Sequence, residues 1–301
     1  MQDFRVATFL TVCRTLNYTR AAEELSITQP AVSQHIAHLE QAYGTPLFVY
    51  RGRRLSLTPA GALARDTLER MAHDERGLRE RMARLACGTP RKLTVGLTLT
   101  AGEYVVAAPL ADWLAAHPDV QVTIRSGGTE ELLEGLVTGS IDCAFVEGFF
   151  DKSAYAWNTY RSERFVCVRS AMRSGNGGAC RMEDLLGERL LVREPGSGTR
   201  AVLEHALAAR NLTLDAFERV SVVESIDVIK VLVSRGVGIS FLYEAAVRRE
   251  AAEGTLCPIE LADAPLAHDI TFIRLKDSVF ENEYRALFAE MRRSRDEGLD
   301  V

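Results

Sequence analysis

No Cys-x-x-Cys pair occurs among the six cysteines, Cys13, Cys87, Cys143, Cys167, Cys180 and Cys257. Thiols scattered in this way argue against a zinc centre or a disulfide framework; they read as small core residues in a reducing cytoplasm. No apolar run approaches the roughly 20 residues of a membrane span. The opening Met-Gln-Asp-Phe-Arg lacks the basic start and apolar block of a signal peptide. The expectation is a cytoplasmic chain with no membrane partner. No Gly-Lys-Ser/Thr completes a nucleotide phosphate loop. The six histidines (35, 38, 73, 117, 205 and 268) join no Ser/His/Asp set and no metal-ligand spacing. No carboxylate pair with clear roles accompanies them, so neither an enzyme nor a metal or cofactor is expected. Lysine is missing from the first 91 residues altogether.

The 301 residues suffice for two or three domains and a sizeable core. The net charge of −5 hides an asymmetry. Residues 1–91 carry 13 Arg against 9 Asp and Glu, a balance of +4; residues 92–301 carry 23 Lys and Arg against 32 acids, a balance of −9. A basic head on an acidic body points to a polyanion partner for one end only.

Within that head, Val6, Phe9, Leu10 and Cys13 follow the i, i+3, i+4, i+7 spacing of a helix with one buried face. Asn17 and Thr19 offer caps for a second helix over 20–25. A very short turn follows at Ser26-Ile27. Thr28 then caps a third helix to about Tyr43, with Pro30 in its first turn, where the missing N–H does no harm. Gly44 stops it. Val32, Ile36, Leu39 and Tyr43 form one stripe of this helix. Pro30, Ser33, Gln34, Ala37 and Gln41 lie opposite, so small and amide-bearing residues face outward. Two short helices with a tight turn, the second with that outer face, describe a helix-turn-helix. Its second helix fits the DNA major groove, where Gln bonds base edges and Ser a base or phosphate. Next come two short strand-like pieces around Arg51-Gly52-Arg53-Arg54. They read as a wing whose arginines reach phosphates or a minor groove. The candidate DNA-binding residues are therefore Thr28, Gln29, Pro30, Ser33, Gln34, Arg51, Arg53 and Arg54.

The string Phe9, Asn17-Tyr-Thr-Arg-Ala-Ala22, Leu25, Gln29-Pro-Ala-Val-Ser33, Ile36, Leu39-Glu40, Gly44-Thr-Pro-Leu-Phe48, Arg51 and Leu57-Thr-Pro-Ala-Gly61 resembles the LysR-type transcriptional regulators. The resemblance extends over essentially the whole chain. Gln34 departs from it, standing where many members carry Arg.

Residues 59–87 contain no proline after Pro59, and Leu63, Leu68, Met71, Leu78, Met82 and Leu85 mark an apolar stripe among charges. This predicts one helix of roughly 40 Å, and a helix that long needs a partner; a coiled-coil-like dimer is the simple one. The family resemblance implies the same dimer and, on resemblance alone, a tetramer. From Lys92 the pattern alternates: strand 93–99, helix 104–117, strand 120–126, helix 129–138, strand 141–147. A second series follows with strands at 164–169, 189–193, 219–223 and 238–243, and helices at 199–210 and 225–235. A last helix covers 279–295. The expected fold is an all-α winged helix-turn-helix domain (1–58), a linker helix (59–87) and an α/β domain (88–301). That last domain would have the two-lobed, periplasmic-binding-protein-like shape of the family's effector domain. Lobe I is placed at about 92–162 and 268–295, lobe II at about 163–267.

In open α/β sheets ligands bind beyond the carboxyl ends of strands. Those ends carry Thr98-Leu-Thr-Ala-Gly-Glu-Tyr104, Ser126-Gly-Gly-Thr129, Glu147-Gly148 and Arg193-Glu-Pro-Gly-Ser-Gly-Thr-Arg200. One such loop is as readily a plain turn and cap; several at one cleft suit a small anion, through helix-start N–H groups and hydroxyls. The candidate effector residues are Thr98, Thr100, Gly128, Thr129, Glu147, Arg193, Ser197, Gly198 and Thr199. Gly128 stands where family members often have Asn, and Ser225 reads as a plain N-cap. The loops at 100–104 and 193–200 resemble the branch of sulfur- and carbon-assimilation regulators, whose effectors are small anionic metabolites. The expected partners are double-stranded operator DNA, such a metabolite, a second copy of the chain and, for an activator, RNA polymerase. A solute-binding protein fits the body but not the head. An effector-independent repressor fits the head but leaves the cleft without a role.

Overall fold

The computed structural model describes residues 3–88, 90–173, 180–259, 261–262 and 266–297. They fall into two compact units. One comprises residues 1–89 with 137–139 and 277–280; the other comprises 90–136, 140–276 and 281–301.

The first unit opens with α1 (Phe4–Thr15), α2 (Tyr18–Leu25) and α3 (Gln29–Tyr43). Side chains cap all three starts: Asp3 accepts from the Arg5 N–H, Asn17 from those of Thr19 and Arg20, and Thr28 from that of Ala31. Phe9, Val12, Ala21, Val32, Ile36 and Leu39 close a common core. Two expectations for this core shift. Leu10 and Cys13 only border it, because Val12 fills the inward position of α1. Tyr43 lies outside it, 51% exposed in the last turn of α3, where the helix has run past its neighbours. A hairpin of β1 (Phe48–Arg51) and β2 (Arg54–Leu57) follows, in register from Phe48↔Leu57 to Arg51↔Arg54. Next comes α4 (Pro59–Cys87), an unbroken helix of 29 residues.

The second unit is built on nine strands. β3 (Arg91–Leu97), β4 (Val120–Ser126) and β5 (Cys143–Val146) are parallel, with β3 in the middle. β7 (Arg189–Val192), β8 (Arg219–Val222) and β9 (Ile239–Tyr243) repeat the arrangement with β7 in the middle. Two long antiparallel strands join the triplets: β6 (Tyr155–Ser170) and β11 (Leu266–Leu275). β11 pairs with β5, and the far half of β6 pairs with β9 and with β10 (Leu256–Ile259). At 16 residues β6 spans roughly 50 Å, too long for one lobe, so it serves both.

Helices α5 (Ala107–Ala116), α6 (Thr129–Thr138) and α10 (Glu281–Glu297) belong to the first lobe. The second holds α7 (Gly198–Ala208), α8 (Ile226–Ser234) and α9 (Glu244–Ala252). Each lobe has its own apolar centre, around Leu132, Leu136 and Ile273 in one and Ile229, Val233 and Leu242 in the other.

Three features differ from the sequence reading. Strand β6 starts at Tyr155, well before the expected 164, because its polar first half pairs with β11 while its side chains stay partly solvated. A π-helical turn at Ala101–Val106 precedes α5, where a single helix from 104 was expected. Elements α9 and β10 were not anticipated. Among the described residues, no helix is long and apolar enough to cross a membrane.

Candidate functional site

Helix α3 keeps Val32, Ile36 and Leu39 inward and leaves Gln29, Pro30, Gln34, Ala37 and His38 exposed. Ser33 is half-buried and accepts a hydrogen bond from the Gln29 amide at 3.0 Å. Thr28 stands at the helix start, its hydroxyl used as the cap. His35, polar in sequence, faces inward: its Nδ1 lies 2.9 Å from the Thr8 hydroxyl, and its ring meets Phe4 edge-on. Glu40 also serves the fold. One carboxylate oxygen accepts the backbone N–H groups of Leu47 at 2.7 Å and Phe48 at 3.2 Å, tying the wing to the helix. Beyond that anchor, Arg51, Arg53 and Arg54 crowd the hairpin tip. All three are exposed and engage in no ion pair among the described residues. Three like charges on a four-residue turn repel one another, an arrangement relieved by contact with an anion.

The second site lies where the two lobes of the larger unit meet. Thr98 and Thr100 follow β3, Thr129 opens α6, and Glu147 follows β5; Ser197 and Thr199 stand at the start of α7. All six are buried. The Thr129 hydroxyl donates to the Glu147 carbonyl at 2.7 Å, and the Thr98 hydroxyl donates to the Glu147 carboxylate. Across the lobes, the Thr100 and Thr199 hydroxyls are 3.1 Å apart. Two glycines allow that approach. A Cβ on Gly198 would sit 2.5 Å from the Glu147 carbonyl oxygen, and Gly148, at φ +107°, turns the chain back against Gly198. A Cβ on Gly128 would come within 3.4 Å of the Gly196 carbonyl, so this loop also borders the other lobe. The π-helical turn after Thr100 widens the backbone ring there, a feature often found at functional sites.

The two arginines of the 193–200 loop do not offer bare charge to this centre. Arg193, although buried, is held by both oxygens of Glu194, each at 2.7 Å. Arg200 pairs with Glu204 at 2.8 Å and reaches the Arg193 carbonyl at 3.3 Å. Ser197 occupies the N-cap position of α7, but its hydroxyl does not cap it. Ser225 is the N-cap expected, accepting from the Val228 N–H at 3.3 Å. Burial raises the pKa of Glu147, against its hydrogen bonds with Thr98 and Thr100.

Tyr243 was missed in the sequence. It is the last residue of β9 and fully buried, and its hydroxyl has no hydrogen-bond partner among the described residues. Burial, then the charges of Glu147, Asp269 and Glu163, hold its phenol protonated. Applying the carboxyl-end rule to β9 as well as to β3, β5 and β7 would have found it. Tyr104, in the π-helical turn, donates to Asp227 of α8 at 3.1 Å, a second link between the lobes. Among the described residues, no group of three or more His, Cys, Asp or Glu is placed to hold a metal ion.

Residues 5–62 match the family described as "Bacterial regulatory helix-turn-helix protein, lysR family", and residues 88–296 match "LysR substrate binding domain". The transcriptional activator CmpR of Synechocystis sp. is 29% identical over 269 residues, covering 86% of this chain and 84% of its own. The RuBisCO operon transcriptional regulator of Acidithiobacillus ferrooxidans is 28% identical over 267 residues, covering 86% of this chain and 82% of its own. Among solved structures, an OxyR mutant of Corynebacterium glutamicum matches with a TM-score of 0.61 at 22% identity, over 98% of this chain and 92% of that one. At that identity the likeness speaks for the fold alone.

Proposed function

Because the chain belongs to the LysR family of bacterial helix-turn-helix transcriptional regulators, we propose that a small anionic metabolite held between its lobes governs operator binding or promoter activation. In this reading the chain divides at 58 and 87 into DNA-binding head, linker helix and effector domain, and it works in the cytoplasm as a homodimer or a tetramer of two dimers. Gln29, Ser33 and Gln34 read base edges in the major groove, Thr28 and Pro30 shape the helix entry, and Arg51, Arg53 and Arg54 meet phosphates. RNA polymerase is the further partner if the protein activates.

One observation supports the cleft assignment above others. Thr98, Thr100, Thr129, Ser197 and Thr199 are all buried where two helix starts, of α6 and α7, approach each other. The Thr100 and Thr199 hydroxyls, bonded to each other, can exchange that contact for a ligand oxygen, and helix starts favour negative charge. Gly128 and Gly198 let an anion approach the backbone. Arg193 turns toward a ligand only by leaving Glu194.

The test is a thermal-shift screen of small anionic metabolites against the full chain. Ligands that raise the melting temperature of the wild type are expected to lose most of that effect on the Thr100→Val, Thr199→Val double variant, which keeps shape and drops two hydroxyls. Equal shifts in both proteins would move the site elsewhere. No shift by any anion would favour an effector-independent repressor.

A further inference from the structure

Glu147 lies in the cleft and, among the described residues, forms no ion pair. Its side chain is 2% exposed. The hydroxyls of Thr98 and Thr100 and the Ala101 backbone N–H bond to it, all neutral donors. From the other lobe Gly198 presses on it, close enough that a Cβ there would lie 2.8 Å from the Glu147 Cγ. The cations of the facing loop are taken: Arg193 by Glu194 and Arg200 by Glu204. Tyr243 is a titratable neighbour, with Asp269 and Glu163 beyond it; Glu163 is itself held by Arg161, and His205 and His268 pack on the Phe149 ring, two residues along the chain from Glu147. An ionised carboxylate in these surroundings repels any anion entering the cleft, and among the described residues no cation pairs with it to offset that repulsion.

We propose that the cleft takes up its anion together with one proton carried on Glu147. The neutral carboxyl admits the ligand and donates a hydrogen bond to it, while ionised Glu147 excludes it. The proton comes from solvent and adds to a carboxylate oxygen; no other bond is made or broken. Tyr243 supplies a second donor, being a buried hydroxyl without a partner at the carboxyl end of a neighbouring strand. The ligand class follows: a small oxyanion with at least two acceptor oxygens and, since only one proton accompanies it, a monoanion in preference to a dianion. This rests on the reading of the cleft as the effector site. Burial favours the neutral carboxyl in the ligand-free state too, so its raised pKa acts in the same direction.

Methanesulfonate and sulfate serve as probes, because their charges, −1 and −2, stay fixed from about pH 5.5 to 8.5, so that any pH dependence belongs to the protein. Protection of the full-length wild type against thermal unfolding by methanesulfonate should weaken with rising pH, its apparent Kd rising about tenfold per pH unit once Glu147 ionises. Sulfate should protect less. Glu147→Gln should flatten the pH profile, and Tyr243→Phe should weaken protection severalfold without lowering the ligand-free melting temperature. Without ligand, the raised pKa fixes a sign. The stability linked to the Glu147 proton is present in full below the unfolded carboxylate value of about 4.3 and is lost as pH rises through the folded value, so Glu147→Gln should gain on the wild type with rising pH.

Calorimetry of the wild type in buffers of different ionisation enthalpy reads the proton without a variant: uptake should climb toward one per methanesulfonate as pH rises. Uptake of zero throughout, or an undiminished pH slope in Glu147→Gln, overturns the proposal. Protection that is strong and flat with pH overturns it while leaving an anion site standing. If neither anion protects at any pH, the anionic reading of the cleft falls with it.

Discussion

Glu40 and Gln34 both carry polar head groups on helix α3, yet they have opposite roles. The Glu40 carboxylate accepts two backbone N–H groups of the wing root and is consumed by the fold. The Gln34 amide is exposed and bonds to nothing among the described residues. Gln29 lies between these cases, bonded only to Ser33 one turn on, a contact it exchanges at little cost. Replacing Gln29 or Gln34 by alanine should therefore cost roughly 1–3 kcal/mol on a specific operator, with much of the nonspecific affinity retained. Competition gel shifts against operators substituted one base pair at a time would check this. Both variants keeping wild-type affinity and base preference would displace the groove assignment. His35 shows how a sequence misleads at this scale: it sits among residues proposed to face the groove in the written order, but its ring belongs to the α1 contact.

The proposal that helix α4 pairs with a second copy rests on what it leaves uncovered. Leu68 is buried against the head, but Leu63, Met71, Leu78, Met82 and Leu85 are all more than half exposed. A helix of 29 residues, roughly 44 Å long, is at risk of fraying and aggregation with such a row facing water. A second copy of the same helix would bury the row by a two-fold contact, which would also place two heads for an inverted repeat. Leu78→Glu with Met82→Glu puts four like charges into that contact per dimer. Light scattering at micromolar concentration should then give a monomer where the wild type gives a dimer or larger. A wild type that is itself monomeric would remove the idea.

At the scale of the whole molecule, a ligand in the cleft changes DNA binding only through its different affinity for two states of the protein. Coupling of this kind is commonly about 1–3 kcal/mol, or 5- to 150-fold, and it is reciprocal. The anion that scores best in the thermal screen should bind the protein–operator complex more tightly or more weakly than the free protein, by the same factor by which it changes operator affinity. Paired calorimetric and footprinting titrations measure both factors. Two unequal factors would mean a third binding event, and two factors of one would leave the cleft without control over the head.

The sequence by itself determined the local and periodic features. Asn17, Thr28 and Ser225 cap helices because a short polar side chain before an apolar repeat has few other local uses. The stripe of α4, the basic turn at Arg51–Arg54 and the hydroxyl-bearing loops at 98–100, 129 and 197–199 could be read for the same reason. Their meaning lies within a few residues of chain. Only the tertiary structure decided what long-range partners impose. Strand β6 is long because β11, a hundred residues away, pairs with it. Tyr243 is buried, with no hydrogen-bond partner among the described residues, because distant strands pack around it. In the sequence Glu147 is one of nine candidate effector residues, with nothing to mark it out from the hydroxyls beside it. Burial raises its pKa, and the proposed role of its proton rests on that burial, a property that no short stretch of sequence contains.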